Sequence, residues 1–150
     1  MREAVHQLKY RDVRVMAPVL DSAMAERMLP RAGDFDVVAA VPLHRSRLRE
    51  RGFNQADLLA REVSGRLGTP LERRAVVPSG AGPFQAKSAG VEERLAAVSE
   101  AFVHRARLDG MRVLLVDDVC TTGATLEACA GALKAGGAAM VWGLTFAREL

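Results

Sequence analysis

Two adjacent carboxylates, Asp117 and Asp118, stand just ahead of a turn that holds Thr121, Thr122, Gly123 and Thr125. A carboxylate only accepts hydrogen bonds, and the vicinal hydroxyls of a sugar donate them, so the acidic pair suits a polyol. The turn suits an anion. Successive backbone N–H groups ahead of a helix form a concave donor site, and the helix dipole adds to it. Gly123 lets the backbone approach a ligand closely, and the threonine hydroxyls add donors. Diol binding at one end and phosphate binding at the other measure out a ribose 5-phosphate. The candidate residues are Asp117 and Asp118 for the sugar and Cys120, Thr121, Thr122, Gly123, Ala124 and Thr125 for the phosphate. Adjacent strand residues point to opposite faces, so both acids reach one sugar only if the chain leaves strand geometry here. The competing reading is a buried strand followed by an ordinary capped helix.

A second constellation lies upstream, in Leu43-His-Arg-Ser-Arg-Leu-Arg-Glu-Arg-Gly-Phe-Asn-Gln-Ala56. Arg45, Arg47, Arg49 and Arg51 occupy alternate positions, which in an extended chain sets all four on one side. Such a comb fits the forked guanidinium contacts of a pyrophosphate. It equally fits a nucleic-acid backbone or a solvated basic loop. His44 reads either as a further ligand contact or as a polar loop residue.

Strands and helices in alternation must position these groups. Residues 2–29 have helical apolar spacing, with Met16, Val19, Leu20, Ala23, Met24 and Met28 on one stripe and Pro18 as a start or break. Asp36 to Val41 reads as a buried strand ended by Pro42. An amphipathic helix follows from Asn54 to Leu67, with Gly68 as its stop. Ala75 to Val77 forms a short strand, Pro78 to Gly90 a mobile loop, and Val91 to Val98 a helix. Val113 to Val116 is a second buried strand, which puts the acidic pair at its C-terminal end, where open α/β sheets hold ligands. A helix from Thr125 to Ala135, closed by Gly136-Gly137, and a strand from Met140 to Phe146 complete the chain. Trp142 and Phe146 are expected in the core. The alternation predicts an α/β fold with a mostly parallel central sheet flanked by helices. The chain reads as a single domain over residues 1–150, with a core over 36–148 and a helical cap or interface over 1–30, the latter compatible with a homodimer.

Composition narrows the function classes. The chain has 150 residues, 21 basic and 18 acidic, giving a net charge of +3. That balance does not by itself argue for nucleic acid, which leaves DNA an open but unfavoured partner. Eighteen of the basic residues are arginines (Lys9, Lys87 and Lys134 are the lysines), in keeping with phosphate recognition or simply GC-rich codons. Cys120 and Cys129 form no CxxC pair, and His6, His44 and His104 are scattered, so no protein-built metal site is expected. Cys120 reads as a small loop residue, and Lys87 as a solvated side chain. No signal peptide or membrane span is visible, which predicts a cytoplasmic protein with reduced thiols.

Three look-alikes fail. No lysine stands between Asp117 and Gly131, against a nucleoside-triphosphate loop. No aspartate follows Asp118, against a response-regulator receiver, and Gly123 alone is too few glycines for a methyltransferase loop. Gly80-Ala-Gly-Pro-Phe-Gln85 lacks the third glycine of a dinucleotide fingerprint and contains Pro83.

The run Val113-Leu-Leu-Val-Asp-Asp-Val-Cys-Thr-Thr-Gly-Ala-Thr125 closely resembles the signature of the type I phosphoribosyltransferases. Arg51-Gly-Phe-Asn-Gln55 is similar to a hallmark of the ComF family within them, and Gln85, Glu93-Arg94, Ala101-Phe102 and Leu8-Lys-Tyr10 fit the same family. The chain lacks the N-terminal zinc finger many relatives carry, so it resembles either a short form or one whose start was assigned late, and Ala97 stands where relatives often have Asn. The resemblance implies a type I phosphoribosyltransferase fold that binds phosphoribosyl pyrophosphate. It implies Asp117 and Asp118 on the ribose and the Cys120–Thr125 loop on the 5-phosphate. His44, Arg45 and Arg51 would hold the pyrophosphate, which carries Mg²⁺ with it. Transfer of the phosphoribosyl group to a nucleobase-like or amine acceptor follows as the expected activity. A non-catalytic sensor of nucleotide or donor, and an accessory protein of competence and DNA uptake, are the alternatives.

Overall fold

The computed structural model describes residue 26 and residues 31–80, 100–120 and 122–148. The helices expected over residues 2–29 and 91–98 and most of the Pro78–Gly90 loop lie outside the described residues. The described strands are β1 (Val37–Ala40), β2 (Val76–Pro78), β3 (Phe102–His104), β4 (Arg112–Cys120) and β5 (Met140–Arg148). The described helices are α1 (Arg45–Arg51), α2 (Gln55–Leu67) and α3 (Ala124–Ala135).

The central sheet has the order β1-β4-β5, all parallel. Val37 pairs with Val113 and Ala40 with Val116, while Leu114 pairs with Trp142 and Asp117 with Thr145. A parallel strand needs a crossover to its neighbour, and α3 supplies it between β4 and β5. Residues 70–72 run along the outer edge of β1: the Val38 N–H donates to the Pro70 carbonyl at 2.8 Å, and the Val38 carbonyl accepts from Glu72 N–H at 2.9 Å. β2 and β3 form a separate antiparallel pair. Phe102 to His104 carries no turn signal or long apolar run, so this strand was not legible in the sequence.

The apolar runs explain the layering. Val37 to Ala40 and Val113 to Val116 are buried at every position, as strands covered on both faces must be. Leu59, Ala60 and Val63 of α2 and Cys129 and Leu133 of α3 complete the core. Trp142 departs from its expected core position. It is 40% exposed, because β5 is the last strand in this sheet order among the described residues. Its ring instead lies under the Arg31 guanidinium at 4.1 Å and meets Phe35 edge-on. Phe146 packs partly buried against the core, as expected.

The N-terminal end of the sheet is clamped by one ion pair. Asp36 accepts from the Arg112 backbone N–H at 2.8 Å and from its Nε at 3.1 Å and Nη2 at 3.0 Å. These bonds hold the Asp36 carboxyl down at about 2, against an ordinary 3.8. The opposite, C-terminal end carries the candidate chemistry.

Candidate ribose phosphate site and arginine cleft

β4 outruns β1. The last β1-side backbone bond described is from Val41 N–H to the Val116 carbonyl at 2.9 Å, and β4 continues to Cys120. Backbone amides in that overhang need partners. The Asp118 N–H donates to Asp117 Oδ1 at 2.8 Å, and the Val119 N–H donates to Asp118 Oδ1 at 2.8 Å. The acids therefore finish the strand as well as presenting charge at its end.

The chain does not leave strand geometry at the acidic pair, contrary to the sequence expectation. β4 pairing with β5 resumes beyond it, with Val119 opposite Ala147 and Cys120 opposite Arg148. The two carboxylates thus diverge to opposite faces. Asp117, half-buried, takes the α3 face, since its charge acts on the buried Cys129 thiol. Burial first, and that charge second, raise the Cys129 thiol far above its usual range. Asp118 is 8% exposed. By strand alternation it takes the face opposite Asp117.

The phosphate loop begins where β4 stops. Thr121 lies outside the described residues. Thr122 and Thr125 are exposed, while Cys120, Gly123 and Ala124 are half-buried. Thr122 Oγ1 accepts from Ala124 N–H at 3.3 Å, and the Gly123 carbonyl accepts from Glu127 N–H at 2.9 Å. Gly123 is the N-cap of α3 and offers no side chain to the first-turn amides. A helix start of this kind suits an anion, with the helix dipole behind it. The Gly123 requirement is conformational: φ is +86°, and a Cβ there would meet only Cys120 Sγ, at 3.9 Å.

The arginine comb is a helix, which corrects the extended reading. His44 caps α1 by accepting from Ser46 N–H at 3.3 Å, and its ring contacts Ser46 Oγ at 2.8 Å. Gly52 ends α1 in left-handed conformation, its N–H donating to Leu48 O at 2.8 Å. Arginine is a good helix former, and two caps outweigh a period-two pattern that has no apolar partner residues. Turning about 100° per residue separates alternate arginines, so Arg45 and Arg49 share one side and Arg47 and Arg51 another. No ion pair holds any of the four among the described residues. No described contact joins them to the loop after β4.

The segment Arg51-Gly-Phe-Asn-Gln55 acquires a structural meaning. Gly52 stops α1, and Asn54 starts α2 by accepting from Ala56 N–H at 3.1 Å. Asn54 Nδ2 also donates to the Val41 carbonyl at 3.0 Å, fixing the helix pair to the end of β1. Gln55 is 2% exposed, and its Nε2 has no hydrogen-bond partner. The sequence pointed to Gln55 only as part of the Arg51–Gln55 run, with no role of its own.

Beside β1 lies a cleft of about 640 Å³, with walls from α1, α2, β2 and the segment after β3. Among the described residues it holds Arg45, Arg61, Arg73, Arg74 and Arg105 with one acid, Asp57. None of the described residues from Asp117 to Thr125 lines it. The adjacent Arg73-Arg74 ahead of a short strand was the available sequence signal for it.

Comparisons with known proteins bear on this arrangement. The Phosphoribosyl transferase domain family matches residues 51–148. Among curated proteins, DNA utilization protein YhgH of Salmonella typhi is 32% identical over 143 residues, covering 91% of this chain and 62% of the relative. Competence protein F of Haemophilus influenzae is 33% identical over 73% of this chain and 49% of its own length. The chain belongs to the phosphoribosyltransferase family and is of ComF type. An adenine phosphoribosyltransferase of Frankia casuarinae is 39% identical over 69% of this chain and 51% of that protein. The chain therefore spans about half to three fifths of these relatives. A purine phosphoribosyltransferase structure from Pyrococcus horikoshii superposes with a TM-score of 0.55 at 21% identity, covering 87% of this chain and 71% of that one. The fold is that of the type I phosphoribosyltransferases. In this family member the matched region takes in both the acidic strand end and the loop, but begins only at Arg51 of the comb. No described helix is long and apolar enough to cross a membrane.

Proposed function

We propose that this protein binds phosphoribosyl pyrophosphate at the C-terminal end of β4 and transfers its phosphoribosyl group to a nucleobase-like or amine nitrogen. The observation that carries the reading is the sequence of acidic strand end at Asp117-Asp118, positive-φ Gly123 and the start of α3 at Ala124, on either side of Thr121. The first-turn amides of α3 and the Thr122 and Thr125 hydroxyls receive the 5-phosphate. Asp117 and Asp118 accept hydrogen bonds from the ribose hydroxyls. Their divergence gives one acid the direct contact and leaves the other to shape the strand end. In the reaction the acceptor nitrogen forms a bond to the anomeric carbon, the bond from that carbon to the pyrophosphate oxygen breaks, and the nitrogen's proton passes to solvent or a base.

The leaving group departs as pyrophosphate, and the α1 arginines, Arg45 and Arg51 first, are the groups proposed to receive its charge. Mg²⁺ bound to that pyrophosphate would neutralise it further, and the carboxylates of Asp117 and Asp118 are hard oxygen donors suited to its waters. The protein's own contribution is positioning and charge stabilisation. The test is a turnover screen with phosphoribosyl pyrophosphate, Mg²⁺ and each nucleobase, read as pyrophosphate release. Release dependent on one acceptor is expected. Donor binding without release for any acceptor would move the assignment to a sensor.

A DNA-handling role is the second reading, favoured by the names of the Salmonella and Haemophilus relatives. Single-stranded DNA affinity that falls steeply with salt, and falls similarly on loss of each α1 arginine, would support it.

A further inference from the structure

Five guanidiniums around one cleft cost electrostatic energy unless an anion joins them. Asp57 offsets part of that cost. It binds Arg73 through two bonds, at 2.8 and 3.2 Å, and Arg61 at 3.1 Å. Arg45, Arg74 and Arg105 have no ion pair among the described residues. Their exposed side chains border the same space. Another part of the wall is apolar, with Phe53, Leu58, Val77 and Pro78. A volume of about 640 Å³ falls in the range of small-ligand sites. Fixed cations beside an aromatic and aliphatic wall match a ligand with a phosphate at one end and a flat, weakly polar body at the other.

We propose that this cleft is a second phosphate site, separate from the loop after β4, that takes a nucleoside monophosphate unit. Arg74 and Arg105 grip the phosphate. Arg73 and Arg61, braced by Asp57, set the rim, and the base lies against Phe53 and Pro78. The unit comes either from a free nucleotide or from a single strand, since both present the same phosphate and base. The inference does not depend on transferase activity.

The experiment uses the full chain and adenosine 5′-monophosphate as probe, titrated with and without saturating ribose 5-phosphate to fill the β4 loop. Expected is binding that survives ribose 5-phosphate and weakens at least about tenfold in Arg74→Ala/Arg105→Ala, given the strength of charged hydrogen bonds. Ribose 5-phosphate affinity stays unchanged in that variant. Both arginines are exposed, so the variant should fold as the parent does, and circular dichroism checks it. A twelve-nucleotide deoxythymidylate strand that displaces the mononucleotide from the cleft assigns the unit to a strand. Failure to displace it assigns a free nucleotide. The proposal is overturned if the double variant binds the probe as the parent does, or if ribose 5-phosphate abolishes all binding. It is also overturned if the variant changes only the sedimentation of the protein, since the arginines would then serve contact between copies. A failure of the transferase reading would show instead as an absence of ribose 5-phosphate binding, with the cleft result standing.

Discussion

The strand end at Asp117 and the helix at Arg45 both follow a buried parallel strand, and each departed from its expected geometry in a different way: β4 prolonged its strand through the acidic pair before the expected turn and helix, whereas the comb after β1 became a helix. After β4 the change from apolar strand to threonine turn to helix is dictated locally: a central strand that outruns its neighbour, a glycine at φ +86°, and a helix whose N-cap residue has no side chain. After β1 the alternating arginines suggested an extended comb, and α1 formed instead. Alternation specifies a strand only when one set of residues is buried, and no residue of α1 is buried. With nothing to bury, the His44 and Gly52 caps and the helix propensity of arginine decided the outcome.

Gly123→Val tests the β4 side of this contrast with the largest expected effect. A β-branched residue is strained at that φ, so the loop should shift and ribose 5-phosphate binding should be lost, by calorimetry. Binding retained in a folded Gly123→Val protein would break the link between this turn and the phosphate.

On the β1 side, the helical phase predicts that the arginines act in pairs. In single Arg→Ala proteins, the ratio of donor to nucleoside monophosphate affinity should fall most for Arg51 or for Arg45, and each should be followed by the residue sharing its side. Charge-assisted contacts of this kind are each worth about 1.5–3 kcal/mol. A ratio unchanged across all four would remove α1 from the donor site and leave it to the neighbouring cleft.

Two smaller effects calibrate the scaffold. Gly137→Ala should destabilise by on the order of 2 kcal/mol in urea, because φ is +101° there and a Cβ would run into Asp109. The Asp36–Arg112 clamp should show as a pH dependence of stability in acid. A lowered carboxyl stabilises the fold above its unfolded value near 3.8, and that contribution fades as pH falls through about 2. Asp36→Asn should flatten this part of the acid unfolding curve and leave ligand affinity unchanged.

Much of the core was legible because burial writes itself as composition. Val37 to Ala40, Val113 to Val116 and the α2 and α3 boundaries follow from apolar runs and their glycine stops. The extended segment at residues 70–72 and the strand at Phe102 are held by backbone pairing to partners distant in sequence, so neither leaves a local pattern. The acidic pair was legible as chemistry but not as geometry. Nothing in two adjacent aspartates tells that each will accept the N–H of the residue after it and so prolong the strand. The cleft was hidden for a related reason, since Arg45, Arg61, Arg74 and Arg105 meet only through the fold.

The central claim is that the Asp117–Thr125 unit holds a phosphoribosyl donor, and calorimetry with phosphoribosyl pyrophosphate and Mg²⁺ tests it most directly. Asp117→Ala, Asp118→Ala and the double variant should be measured beside the parent. Two charged hydrogen-bond acceptors lost should weaken binding by at least about tenfold in the double variant with the fold intact. The divergent side chains predict that one single variant accounts for most of that loss. Undiminished donor binding in the double variant would contradict the account.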